Sequence, residues 1–269
     1  MLGTFVEISL LEPESLKARK ALALAFKKID RVHQLMSFHD RKSDVSRLNR
    51  LAFKRPIKVN SWTCQVLREA VQLSFITKGV FDCTVAPKLV EWEYLPQVKL
   101  KTFNKVGSYK DIEFLKNKKI YFKSPLMIDL GGIAKGFAVD QAVALLQKKG
   151  IKSGSVNAGG DLKIFGKASQ PLYIRSPKQL SKLIFIGEVK NISVATSAHY
   201  YSRREFKGRV VTPIVNPFRG RACLKRWSVS VFNHSCMIAD GLTKVVMLKG
   251  KEAKPYLEKL NAQALMIKN

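Results

Sequence analysis

The sequence contains few of the residues that usually bind transition metals. Its 269 residues include only four cysteines and four histidines, and the cysteines form no CxxC pair or other metal-ligand spacing. We interpret the cysteines as buried free thiols, which suits a reducing compartment. This scarcity argues against a cysteine–histidine metal centre. The four cysteines are Cys64, Cys83, Cys223 and Cys236.

The sequence also has no apolar run close to the roughly 20 residues of a membrane-spanning helix. Its first residues, MLGTFVEISL, lack the basic start and the length of a secretory signal and instead predict a strand. We expect a cytoplasmic protein if this chain is native, and a periplasmic or inner-membrane-associated one if a leader was removed. No linker, repeat or low-complexity tract interrupts the chain, which predicts one compact domain over residues 1–269.

Acidic residues are scarce beside basic ones. The chain has 20 Asp and Glu against 48 Lys and Arg, a formal net charge of +28. Such a charge favours polyanions. Because the basic residues occur in every segment rather than in one stripe, a solvated surface explains them better than a nucleic-acid site does. Peripheral membrane contact remains open.

The apolar periodicity predicts helices and strands in an α+β or mixed α/β arrangement. The helices are expected at 14–36, 61–78, 137–149, 235–248 and 251–260, with Ser61 as an N-cap. The strands are expected at GSVNA, LKIFG, LYIRS, LIFIGEV, ISVATS, VVTPIV, WSVSVF and ALMIK, with a hairpin-like pair around IYF and LMIDL. The polar segment SFHDRKSDVSRLNR predicts a loop, either facing a ligand or connecting two elements.

Two glycine-rich turns lie close together in Asp129–Asp161. The first contains one lysine and opens a helix, and the second, Gly-Gly-Asp, follows one helix and one strand later. Glycine lets backbone N–H groups approach a ligand closely, and a helix N-terminus favours anions. This stretch therefore predicts a nucleotide or phosphate site.

Eight segments in order carry a family resemblance: GTFVEI, LMSFHDRKSDVSRLN, GVFDCTVAPKLVEW, DLGGIAKGFAVD, VNAGGDLKIFG, VATS, NPFRG and SVSVFNHSCMIADGL. Along nearly its whole length the chain resembles the ApbE family of FAD:protein FMN transferases. The resemblance implies a single ApbE-like domain of mixed α/β type that is not a Rossmann fold. It also implies a transferase that binds FAD in a cleft, with magnesium (Mg²⁺) at the pyrophosphate. FMN would pass to a threonine of an acceptor protein, a protein flavinylation that releases AMP.

The resemblance also implies site residues. Met36, Ser37 and Phe38 match the adenine side, and Asp82 and Thr84 match a strand-turn that lines the cleft. The phosphate side is matched by Gly131, Gly132, Ala134, Lys135 and Gly136. The flavin side is matched by Asn157, Gly159, Gly160 and Asp161. Asp240 matches a metal-binding aspartate, and a backbone carbonyl near Ala134 would help to hold the metal. From the residues alone, Phe38 fits a core position equally well, and Asp82 and Thr84 fit turn capping.

The catalytic segment departs from the family pattern, which near residue 213 is a histidine, two apolar residues and Asp-Pro-x-Thr-Gly. Pro213 stands at the histidine position, Asn216 at the aspartate position and Arg219 at the threonine position. Proline can neither accept nor donate a proton, and asparagine has no charge.

The metal segment departs as well. The family pattern Ala-Asp-x-Leu-x-Thr is ADGLTK here, so Lys244 stands at the position of the second metal ligand. Residues four apart share a helix face, so Lys244 can reach Asp240 and repel a divalent cation. We expect Mg²⁺ to bind weakly; the alternative is a Lys244 that points into solvent.

Three hypotheses follow. In the first, the chain is an active FMN transferase in which Arg219 and Lys244 replace the metal and His199 serves as base. In the second, it is a pseudoenzyme, a non-catalytic family member that binds FAD or a protein. In the third, it is a basic polyanion-binding protein. The substitutions favour the second, because one assumption explains all of them.

Overall fold

A computed structural model describes residues 2–98, 107–179, 181–198 and 202–268. Contacts divide the chain into two compact units. The sheet unit comprises Met1–His33, Ile133–Tyr201 and Lys225–Asn269, and the helical unit comprises Gln34–Gly132 and Ser202–Leu224. One domain over residues 1–269 stays a prediction.

The described residues form helices and strands in mixed order. The helices are α1 Leu16–Met36, α2 Asp44–Leu51, α3 Ser61–Ile76, α4 Ala86–Glu91, α5 Ala134–Lys148, α6 Cys236–Lys249 and α7 Lys254–Lys259. The strands are β1 Val6–Leu10, β2 Ile57–Lys58, β3 Ile112–Leu115, β4 Lys119–Phe122, β5 Gly154–Ala158, β6 Asp161–Phe165, β7 Gln170–Arg175, β8 Leu183–Val189, β9 Ile192–Ala198, β10 Arg204–Phe206, β11 Arg209–Val211, β12 Val215–Asn216, β13 Arg221–Ala222, β14 Trp227–Asn233 and β15 Gln263–Lys268. None of these helices has the length and apolarity that a membrane crossing requires.

A six-stranded sheet organises the sheet unit. Its strand order is β1-β5-β6-β9-β14-β15, and every neighbouring pair is antiparallel. Helix α5 packs on β5 and β6, and α6 packs on β9 and β14. A Rossmann fold requires a mostly parallel sheet. The expected mixed α/β fold that is not a Rossmann fold is therefore confirmed.

The helical unit contains a three-stranded sheet of order β2-β4-β3 and two small hairpins, β10–β11 and β12–β13. The predicted pairing of IYF with LMIDL is wrong, because the strand that contains IYF pairs with Ile112–Leu115. The LMIDL segment is instead fixed by a side chain. Asn49 donates from Nδ2 to the Ile128 carbonyl at 2.9 Å and accepts from the Ile128 N–H at 2.8 Å, so one amide group replaces a partner strand.

Three other local expectations need correction. The predicted loop SFHDRKSDVSRLNR contains α2, since Ser43 caps the helix by accepting from the Ser46 N–H at 3.0 Å and Val45 and Leu48 are fully buried. The N-cap of α3 is Asn60 rather than Ser61. The expected helix 251–260 begins as a 3₁₀ turn at Gly250–Ala253 and continues as α7, because a proline near its start favours a new helix over continuation.

The cysteines are free, and Cys83, Cys223 and Cys236 are buried, as the sequence predicts; Cys64 is partly exposed, so the expected burial is wrong at that position. Burial raises the pKa of the Cys83 and Cys236 thiols, so both stay protonated and unreactive at neutral pH.

We therefore expect iodoacetamide at pH 8 to label Cys64 alone in the folded protein and all four cysteines after unfolding. Mass spectrometry of tryptic peptides measures this. Rapid native labelling of Cys83 or Cys236 would contradict the burial described here.

Candidate functional site

Two lysines and two aspartates of the sheet unit form one charged group, the lysine–aspartate cluster. Lys135 Nζ lies 2.9 Å from Asp161 Oδ2 and 3.2 Å from Asp240 Oδ2. Lys244 Nζ pairs with Asp240 Oδ1 and donates to the Asp240 carbonyl at 3.0 Å. The aspartate side chains are 3% and 1% exposed, and the lysine side chains 25% and 20%.

Three elements supply this cluster. Lys135 lies in the first turn of α5, Asp161 is the first residue of β6, and Asp240 and Lys244 lie one turn apart on α6. The four-residue spacing puts Lys244 on the same helix face as Asp240. The structure places Lys244 on Asp240, not in solvent, as that spacing predicts.

Burial and mutual repulsion set the protonation of the two carboxyls. Burial and the Asp240 charge raise the pKa of Asp161 to about 6, against the opposing effect of Lys135 and Lys244. Burial also disfavours the charged form of Asp240, but the attraction of the two ammonium groups outweighs this effect and lowers the pKa of Asp240 to about 2. For Lys135, burial is outweighed by the two carboxylates, which raise its pKa. The pair therefore divides into one readily protonated acid and one permanent anion.

The helices that carry the cluster cap each other. Asp240, from α6, accepts the N–H of Gly136 in the first turn of α5 at 3.3 Å. Asp140, from α5, accepts the N–H groups of Cys236 and Met237 in the first turn of α6 at 3.2 and 3.0 Å. Each carboxylate thus satisfies donors that a helix start leaves unpaired, and each lies at the positive end of the partner's dipole.

Gly136 permits this arrangement. A Cβ atom at this position would lie 2.2 Å from the Cys236 carbonyl oxygen and 2.7 Å from the Met237 Cα. The predicted phosphate-side glycine is therefore the point where the two helices touch, and its missing side chain has a packing reason.

Asp161 is positioned by a two-residue hairpin turn. Gly159 and Gly160 connect β5 to β6 with φ of +62° and +96°, the left-handed conformation that a type I′ turn requires at both positions. Asn157 Oδ1 accepts the Gly160 N–H at 3.0 Å. This turn places Asp161 at the start of β6, facing Lys135.

The oxygen atoms of the cluster do not fit a divalent cation. Asp240 Oδ1 is paired with Lys244, and Oδ2 faces both Lys135 and the Gly136 N–H. Mg²⁺ needs carboxylate oxygens whose lone pairs are available. Ala134, the other expected metal residue, is the buried first residue of α5. Across the described ranges, no group of three or more His, Cys, Asp and Glu side chains is arranged to hold a metal.

The helical unit holds the expected adenine-side residues. Met36 ends α1 and is buried, and the Ser37 hydroxyl accepts the N–H groups of His39 and Asp40. Phe38 is 7% exposed, yet it lines a cavity of about 570 Å³, within the usual size of a ligand site. The cavity is also lined by His39, Arg41, Asn49, Arg50 and Gln97. A core role and a ligand role for Phe38 are therefore both compatible with its position.

Asp82 and Thr84, also in the helical unit, form a self-contained turn. Asp82 Oδ1 accepts the Thr84 N–H at 2.8 Å and its hydroxyl at 2.7 Å, the turn capping that the residue types allow. Burial raises the pKa of Asp82 against these hydrogen bonds. Gly131 and Gly132 lie in the turn before α5. A flavin role for these residues stays a prediction.

The segment in which the resemblance places the catalytic residues is a short hairpin loop of the helical unit. Asn216 Oδ1 accepts the N–H groups of Phe218 and Arg219 at 3.1 and 3.2 Å, and Gly220 closes the loop with φ of +57°. Pro213 lies just before β12 and is partly buried, and Arg219 is exposed. Asn216 therefore holds the turn. His199 lies outside the described residues.

Asp140 lies within the segment DLGGIAKGFAVD, and no role for it was predicted from the sequence. Besides its two backbone bonds, Asp140 accepts from Ser235 Oγ at 3.0 Å and pairs with Lys163 at 2.6 Å. Its spacing of four residues from Gly136 was the available signal, because both must then lie on the helix face that meets α6.

Comparisons with known proteins agree with one another. The model of the ApbE family matches residues 2–266. An FAD:protein FMN transferase of Vibrio cholerae serotype O1 is 28% identical over 267 residues, covering 93% of this chain and 80% of that protein. Among solved structures, the ApbE protein of Thermotoga maritima has a TM-score of 0.87 at 26% identity, with 99% and 92% of the two chains covered. The flavin transferase ApbE of Vibrio cholerae has a TM-score of 0.81 at 25% identity, with 98% and 90% covered.

The substitution Gly136→Ala tests the helix contact. Alanine in an open helix would stabilise by about 1 kcal/mol over glycine, but here its methyl would meet backbone atoms of α6. We expect a net loss of about 1–3 kcal/mol in the free energy of unfolding, measured by urea denaturation. A more stable variant would show that α5 and α6 do not touch at Gly136.

Asp161 is expected to titrate near pH 6. Because its folded pKa exceeds the roughly 3.9 of an unfolded aspartate, the folded state binds more protons between these values. The stability contribution of this group therefore falls as pH rises from about 4 to about 6. ¹³C NMR of the aspartate carboxyls should show a titration near pH 6 that Asp161→Asn abolishes. Full ionisation of Asp161 at pH 4 would contradict the expectation.

Proposed function

The chain belongs to the ApbE family, and on that premise we propose that it binds FAD but does not carry out magnesium-dependent transfer of FMN to a threonine. Relatives that match most of the chain are named FAD:protein FMN transferases. We thus propose that this chain shares the ligand of these relatives but does not catalyse their reaction.

The observation that carries the proposal is the state of the Asp240 carboxylate. Both of its oxygens face lysine ammonium groups, and a backbone N–H takes a further bond. A divalent cation would have to displace Lys244 and then lie beside Lys135. Two unit charges 4 Å apart interact by about 4 kcal/mol at an effective dielectric of 20, and a divalent ion doubles this.

The hairpin loop gives separate support. Removing a proton from a threonine hydroxyl requires an acceptor within hydrogen-bond reach. Proline has no titratable group, and the oxygen of Asn216 is already used by two N–H groups of its own loop. The family resemblance puts the proton chemistry at these positions, and neither residue can perform it.

The expected binding residues are largely retained. Lys135, Gly136 and the turn at Gly159–Gly160 are held by the fold, and Phe38 borders a cavity of ligand size. These features support FAD as a ligand. An acceptor protein as a further partner is supported only by the names of the relatives.

A second candidate is a transferase that works without metal. The observation that favours it is the partial exposure of Lys135 and Lys244, whose positive charge would oppose the charge that develops on a pyrophosphate. A transferase of this kind would still lack a general base among the residues described. A polyanion-binding protein rests on the net charge of +28 alone.

AMP release separates these candidates. The protein is incubated with FAD, millimolar Mg²⁺ and the acceptor used by the Vibrio cholerae relative, which serves as positive control, and AMP is measured by chromatography. Because general acid–base catalysis contributes about 10²–10⁴-fold, we expect at least 100-fold less AMP than the relative releases. The protein should nevertheless bind FAD, measured by flavin fluorescence.

Two other outcomes of the AMP measurement would contradict the proposal. Magnesium-dependent AMP release near the rate of the relative would refute the proposal, and release unaffected by EDTA would select the metal-free transferase. As a rescue, Pro213→His, Asn216→Asp and Lys244→Thr are combined in one chain. The combined variant is expected to bind Mg²⁺ more tightly than wild type.

A further inference from the structure

We propose that the ammonium group of Lys244 acts as a built-in cation, so that this chain binds the diphosphate of FAD without any divalent metal. The inference rests on the proposed function and concerns the same cluster. It goes further in assigning Lys244 a binding role that does not depend on transfer of FMN.

The charges of the cluster balance without a metal. Asp161 and Asp240 contribute two negative charges, and Lys135 and Lys244 two positive charges. Without Lys244, two almost completely buried carboxylates would share one lysine, and the excess negative charge would have to be balanced by a bound proton or by a cation. Lys244 supplies that cation from within the chain.

The lysines are the partly exposed side chains of the cluster. The carboxylate side chains are 3% and 1% exposed, whereas those of Lys135 and Lys244 are 25% and 20% exposed. An approaching ligand can therefore reach the lysine side chains but not the carboxylates. Such a surface favours an anion, and the phosphate oxygens of a dinucleotide are strong acceptors for lysine.

Lys244 is held in place for this role. It donates to the carboxylate and to the carbonyl of Asp240, one helical turn back. An ammonium group has three N–H donors, so two are used by Asp240 and the third can donate to a ligand. The neighbouring Thr243 donates to the same carbonyl at 2.7 Å and contacts Ser197 Oγ at 2.7 Å, which fixes this turn of α6 against β9.

The test is the metal dependence of FAD binding in wild type and in Lys244→Thr. Binding is measured by flavin fluorescence in EDTA and in millimolar Mg²⁺. Wild type should bind FAD with the same affinity in both. Lys244→Thr should bind about tenfold more weakly in EDTA, the loss of one charge-assisted hydrogen bond, and should recover in Mg²⁺.

A direct metal measurement does not depend on FAD. Electron paramagnetic resonance with Mn²⁺ should detect no tight ion in wild type and about one ion in Lys244→Thr, with the freed Oδ1 of Asp240 as one of its ligands. Circular dichroism checks that the variant is folded. Lys244→Arg keeps the charge and should behave as wild type.

Lys249→Thr is the matched control. It removes one positive charge from the same helix, where Lys249 faces Glu252 at the surface, and should leave both measurements unchanged. The inference is overturned if wild type needs Mg²⁺ to bind FAD, or if Lys244→Thr neither weakens binding in EDTA nor gains a Mn²⁺ ion. If either result is obtained and no AMP is released, the inference about Lys244 fails but the proposed function is retained. A wild type that binds no FAD at all overturns both.

Discussion

The close contact of α5 with α6 at Gly136 is the constraint on which the charged cluster depends. A Cβ at Gly136 would overlap the backbone of α6. At this distance Asp240 caps the start of α5 and Asp140 caps the start of α6. Each of the two helices thus contributes one carboxylate that caps the other helix. Because all three hydrogen bonds come from backbone N–H groups, the relative position of the two helices is fixed together with that of the cluster.

Buried charge is costly unless every charge has a partner. The cluster meets this condition with lysine ammonium groups, whereas a metal would need free carboxylate oxygens. Lys135 bridges Asp161 and Asp240, and Lys244 pairs with the other oxygen of Asp240. A lysine one turn from an aspartate needs no external ion, so the charge balance is part of the folded chain.

The glycine-rich turns illustrate how a ligand motif and a packing requirement coincide. Gly136 is needed by a helix contact, and Gly159 and Gly160 by a type I′ turn. These glycines would be required even if no nucleotide were bound. Their presence therefore supports a preserved fold more directly than it supports catalysis, and the functional argument rests on Lys244, Pro213 and Asn216.

The sequence by itself determined the family, through the resemblance of eight segments in order. It also determined the mixed α/β class, most strands and the pairing of Lys244 with Asp240, because these depend on local periodicity and spacing. It missed α2, placed LMIDL in a hairpin and gave Asp140 no role. Each of these depends on a partner far along the chain: Asn49 bonds to Ile128, and Asp140 to the start of α6. Only the tertiary structure decided that two lysines neutralise two buried aspartates, since that balance requires α5, β6 and α6 to meet at one point.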